Sequence, residues 1–190
     1  HPVSRAQAKW RSEVRETLEA LLARVEAATG PDRELDAEIM FDLFAKPVGK
    51  AAQDGGPRGY LWPEDNPSWA FGMRFPGKPR EWFKSSTEDH EKILIERDGA
   101  FVQMNSLRVP ALTGSIDAVV ALVEKMLPGC EWYVWNVARD QNDIPCGPGA
   151  TLWHDSLKFV DDGCWSSGDV HSGNTPALAL IAALLRALIA

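Results

Sequence analysis

Cysteine is scarce in this 190-residue chain: Cys130, Cys146 and Cys164 are the three, and none lies in a Cys-x-x-Cys unit. An odd number cannot all pair within one chain. That argues against a disulfide-stapled secreted scaffold and for a reduced, intracellular protein. Basic charge is short as well, with 20 Lys and Arg against 27 Asp and Glu and a formal net charge of −7. General nucleic-acid binding needs a dense basic footprint, so it is excluded, as is docking on an anionic membrane surface. No apolar run reaches bilayer length: the C-terminal one is about 15 residues, roughly 22 Å as a helix. No charged leader with an apolar stretch opens the chain. It begins at His1 rather than Met, so the natural start is expected to lie elsewhere. Repeats and low-complexity tracts are missing.

Catalytic signatures are equally sparse. There is no Gly-x-Ser-x-Gly turn, and Gly55-Gly56-Pro57-Arg58-Gly59 lacks the Lys-Ser/Thr of a phosphate loop. No cofactor is expected.

What is present reads as one domain spanning residues 1–190, long enough for a sizeable core. Its composition is ordinary for a globular chain, at 45% hydrophobic and 25% charged, but eight tryptophans stand against two tyrosines. Residues 4–28 form an amphipathic helix with Trp10, Val14, Leu18, Leu21, Leu22 and Val25 on one stripe. Thr29-Gly30-Pro31 stops it and starts a second helix to about Ala45, burying Leu35, Ile39, Met40 and Leu43. The first helix either pairs with the second or stands apart as an accessory arm.

Residues 46–90 form a different kind of segment. Six prolines and six glycines interrupt it, so no long regular element is expected, only a short strand from Ser68 to Phe75. Beyond it, Lys92 to Ile95 and Ala100 to Gln103 flank Asp98-Gly99, a two-residue hairpin signal. Thr113 or Ser115 caps a helix through Met126, ended by Pro128-Gly129. Cys130 to Ala138 is apolar on both faces, which predicts a strand covered on both sides, with Ala150 to His154 as its partner. Leu157 to Val160 adds a possible further strand. The last helix, from Pro176, is apolar on almost every face and must be covered on both sides.

Three stretches carry a resemblance: residues 30–39, residues 109–118 with the helix that follows, and Ser172-Gly173-Asn174-Thr175-Pro176-Ala177-Leu178-Ala179-Leu180. With the Trp-bearing strand after the middle helix, their order resembles small phage and prophage proteins of the phage ABA-sandwich type. The resemblance covers about half the chain, leaving out the first helix and the 46–90 insertion. It implies an α+β fold with an antiparallel sheet sandwiched between helical layers. It also implies a phage context, in the host cell cytoplasm, where small accessory proteins bind host components, including defence-signalling nucleotides. It brings no catalytic residues.

The candidate site follows from the insertion. Rings on a Pro- and Gly-stiffened loop can stack on a flat base, and Trp62, Trp69 and Trp82 are the candidates, with Arg58, Arg74, Lys78 and Arg80 for phosphate or carboxylate. The alternative is that these rings tuck the loop onto the sheet. Asn174 or Thr175 caps the last helix, whose free N–H groups favour an anion, and Trp165, Asp169 and His171 precede it. Cys164 with His171 and Asp169, near His154-Asp155, offers a nucleophile or a metal set, but the spacing matches no recognised motif. The sequence therefore predicts a non-catalytic phage binding protein that sequesters a small nucleotide-like ligand. A host-protein interaction or homo-oligomerisation module is the alternative, and a Cys/His enzyme the third reading.

Overall fold

The computed structural model describes residues 5–48, 58–61, 72–85, 92–97, 99–139, 142, 145–153 and 175–189. In chain order the elements are α1 (Arg5–Ala27), α2 (Arg33–Phe44), β1 (Lys46–Val48), β2 (Arg58–Leu61), β3 (Gly72–Pro76), a 3-10 helix (Arg80–Ser85), β4 (Lys92–Arg97), β5 (Ala100–Asn105), α3 (Ile116–Met126), β6 (Glu131–Arg139), β7 (Pro145–Trp153) and α4 (Pro176–Ile189). Among the described residues four α-helices and two antiparallel sheets make this a mixed α+β protein. Its residues cluster into two compact units, 1–32 with 111–190, and 33–110. Among the described residues no helix is long and apolar enough to cross a membrane.

The first unit is organised around α4. Thr175 is its cap: the Leu178 N–H donates to Thr175 Oγ1 at 3.2 Å, and Pro176 takes the first helical position. Leu178, Leu180, Ile181, Leu184 and Leu185 are fully buried, because α1, α3 and the β6–β7 hairpin all pack on this helix. At about 1.5–3 kcal/mol for each large side chain, α4 is a main stabiliser of the unit. On α1, Leu18, Leu21 and Val25 are buried, while Val14 is exposed, so the packed stripe is narrower than the sequence pattern. An Arg186–Glu26 ion pair at 2.7 Å joins the two helices.

Ser115 caps α3, accepting the Ala118 N–H at 3.3 Å. Thr113, the other sequence candidate, is buried and differently employed. Its hydroxyl accepts the Asp32 N–H at 2.7 Å, and its carbonyl accepts the Thr175 hydroxyl at 3.4 Å. One residue thereby ties the Asp32 backbone to the cap of α4.

The expectation that β6 is covered on both faces needs correction, since Tyr133 is 58% and Trp132 37% exposed. Among the described residues β6 pairs with β7 in a two-stranded sheet, and α4 packs on this hairpin. Alternation of apolar residues cannot tell a second covering layer from its absence. Trp135 pairs with Gly149, and its indole lies over that glycine: a Cβ there would meet the ring nitrogen at 2.6 Å. Gly149→Ala is expected to lower stability by about 1–3 kcal/mol, because the ring must move off a close-packed seat. Denaturant melts followed by tryptophan emission check this; an unchanged midpoint and spectrum would show that the contact carries no weight.

The second unit is a five-stranded sheet in the order β1-β2-β3-β5-β4, antiparallel throughout. The hairpin signal is realised: Arg97 pairs with Ala100, and Gly99 has φ 66°, the left-handed region that glycine enters without a steric cost. The short strand expected at Ser68–Phe75 is Gly72–Pro76, and the insertion also supplies β1 and β2. Ile93, Ile95, Val102 and Met104 are buried on one sheet face with Ala37, and Met40, Phe41 and Phe44 of α2 pack against them. Strand alternation puts Phe75 and Phe101, register partners, on the other face.

Two arginines anchor α2. Arg33 binds the buried Asp36 at 2.8 Å and the carbonyls of Ser106 and Val109 at 2.9 and 2.7 Å. Arg97, on the α2 side of β4, grips both oxygens of Asp42 at 3.0 and 2.8 Å and reaches Glu38 at 3.2 Å. Burial works against the Arg97 charge, yet the Asp42 and Glu38 carboxylates outweigh it and raise its pKa above the ordinary arginine value. An arginine so raised stays charged, and its contribution stays constant, throughout the physiological pH range.

Candidate functional site

The region of interest lies within the second unit and begins at the 3-10 helix. Pro79 precedes it, and the Trp82 N–H donates to the Pro79 carbonyl at 3.0 Å. A 3-10 helix has three residues per turn, so Arg80 and Phe83 share a face and Trp82 is turned away from it. Phe83 is held by ring contacts, with centroids 5.4 Å from Phe75, 5.7 Å from Phe101 and 4.9 Å from Trp82. Trp82 also meets Phe75 at 5.5 Å, remains 49% exposed, and has the Lys78 ammonium 5.2 Å from its ring centroid. Among the described insertion aromatics, Phe75 and Phe83 fasten the segment to the sheet and the Trp82 indole stays half exposed.

Beside this cluster is an open groove of about 290 Å³. Phe83, Ile93 and Leu94 give it an apolar wall, and Gln103 supplies an amide. Among the described residues its charged lining is Arg33, Arg80, Lys92 and Glu34. Arg80 and Glu34 form an ion pair between the 3-10 helix and the first turn of α2. Lys92 opens β4 and is exposed. Chemically, the described lining offers a ring face, a hydrogen-bonding amide and cationic side chains. Those are the parts needed to hold a small planar anion.

Of the residues singled out from the sequence, Arg80 lines the groove and Trp82 adjoins it through Phe83. Arg74 neighbours Phe75 on β3, so alternation places it on the opposite sheet face, in register with Val102. Thr175 is in the first unit and serves as the α4 cap. Trp62, Trp69, Trp165, Asp169, His171 and Asn174 lie outside the described residues, as do Cys164 and His154-Asp155. Cys130 is half-buried, with its Sγ 3.3 Å from the Glu131 carbonyl. Among the described residues no group of three or more His, Cys, Asp or Glu side chains could hold a metal ion.

Sequence reasoning missed Arg33, Glu34, Phe83, Lys92 and Gln103. A signal existed for Phe83, whose i,i+3 spacing from Arg80 follows a proline that favours a tight helical turn. None existed for Gln103 or Glu34, which reach the groove by strand pairing and by the packing of α2. No known protein family, curated protein or solved structure matches the chain.

Proposed function

We propose that this chain is a phage- or prophage-encoded binding protein that sequesters a small nucleotide-like molecule. The ligand's ring rests against Phe83, and its anionic group lies toward Arg80 and Lys92. The observation that carries this reading is the juxtaposition, in one groove, of an aromatic wall with the described cations Arg33, Arg80 and Lys92. The phage context rests on the resemblance of residues 30–39, 109–118 and 172–180 to phage ABA-sandwich proteins. The sheet-between-helices arrangement belongs to the same proposal, supported by α2 lying on one face of the five-stranded sheet. A binding role suits the groove better than catalysis, because its described lining pairs no nucleophile with a general base.

Titration with a panel of nucleoside mono- and diphosphates, followed by tryptophan emission, tests the reading. Trp82 touches Phe83, so a ligand on that ring is expected to give a saturable change that disappears in Trp82→Phe. Arg80→Ala should weaken binding about tenfold or more, the usual scale for losing a hydrogen bond to a charged group. A panel with no saturable change would sink the proposal.

A further inference from the structure

We infer that Glu34 occupies, in the free protein, the position that a ligand's anionic group takes when bound. This inference rests on the groove reading above. A guanidinium that holds a carboxylate has its planar fork of donors already set for a carboxylate- or phosphate-sized anion. Arg80 holds Glu34 through one guanidinium nitrogen at the groove wall, and both side chains are half exposed, at 51% and 46%. The other acids of α2 are differently placed. Asp36, Glu38 and Asp42 have side chains 1%, 9% and 8% exposed and are paired with Arg33 or Arg97 inside the unit. Glu34 can swing into water at little cost, whereas those three cannot.

The remaining cations have distinct duties. Arg33 is committed to Asp36 and to the carbonyls of Ser106 and Val109. Among the described lining residues Arg80 and Lys92 are left to meet an anion, and Glu34 competes for Arg80. A groove near 290 Å³ is at the small end of ligand pockets, enough for one ring system and one acid group. The ligand class is therefore a planar ring bearing a single carboxylate or phosphate. Glu34 sets a threshold: weak or uncharged competitors do not displace it, and a well-placed anion does.

Calorimetric titration of the full chain and its Glu34→Gln variant with adenosine monophosphate, adenosine and benzoate tests this. Adenosine monophosphate is expected to bind the variant about two- to five-fold more tightly than the parent, the range set by an exposed ion pair. The gain should shrink with added salt and be missing for adenosine. Benzoate separates the sources: an equal gain shows that any planar acid serves, and binding by the phosphate alone narrows the class to nucleotides. If adenosine monophosphate binds both forms equally, or the variant more weakly, Glu34 is not a stand-in while the groove reading survives. A gain for adenosine as large as that for its monophosphate overturns the inference too. If no probe binds either form, the groove reading fails and this inference with it. Thermal melts of the variant confirm that it is folded.

Discussion

Replacing Leu184 with aspartate is expected to leave the chain unfolded or insoluble. Leu184 is fully buried on α4 among Leu180, Ile181 and Leu185. The variant loses about 1.5–3 kcal/mol of apolar burial, and a carboxylate placed there without a partner costs several kcal/mol more. Together these approach the whole stability of a typical domain, about 5–15 kcal/mol. Leu184→Met keeps the volume and should cost less than about 1.5 kcal/mol. Soluble yield and thermal melts read both variants. A soluble Leu184→Asp protein with an unchanged melting temperature would contradict the central place given to α4.

Arg97→Met is the second large effect, and its signature is pH dependence. The substitution leaves Asp42 and Glu38, with side chains 8% and 9% exposed, without their shared cation. Breaking a buried pair from one side costs about 3–5 kcal/mol, because an uncompensated charge remains inside. Taking up a proton removes the charge that burial penalises. A group with a raised folded pKa binds its proton more readily in the folded state, so stability is lost as pH rises and regained as pH falls. The deficit against the parent should therefore be largest near neutral pH and shrink toward roughly pH 4. Adding Asp42→Asn and Glu38→Gln to Arg97→Met should restore much of the loss at neutral pH. A deficit that is independent of pH would mean that lost packing of the Arg97 stem, rather than stranded charge, is the cause.

The two arginine clusters also show where sequence reading ran out. Helix caps were legible because they are local: Ser115 and Thr175 precede apolar runs and bond to N–H groups three residues on. The β4–β5 hairpin was legible for the same reason, through Gly99. The strands of the insertion were not, apart from β3. β1 and β2 have three and four residues, too few to show a period, and their pairing is with segments the local pattern does not name. Arg97 lies 55 residues from Asp42, and Arg80 lies 46 from Glu34, so neither pair leaves a mark on its own stretch of sequence. The candidate site was half visible, in Arg80 and Trp82. Its other wall depends on β4 pairing with β5 and on α2 packing on that sheet, and alternation alone announces neither.

The exposed side of β6 teaches a related point. A strand with apolar residues on both faces states how much surface it has to bury, and not whether a layer is there to bury it. Tyr133 remains in water beside Trp135, which covers a glycine across the hairpin.

The most direct test of the groove as the ligand site is a residue-resolved one: backbone amide NMR of the labelled chain titrated with adenosine monophosphate. The expected result is a saturable set of shifts concentrated at Arg80, Phe83, Lys92 and Gln103, with Glu34 moving as its ion pair opens. Shifts confined to residues 111–190, or none at saturating ligand, would contradict the account.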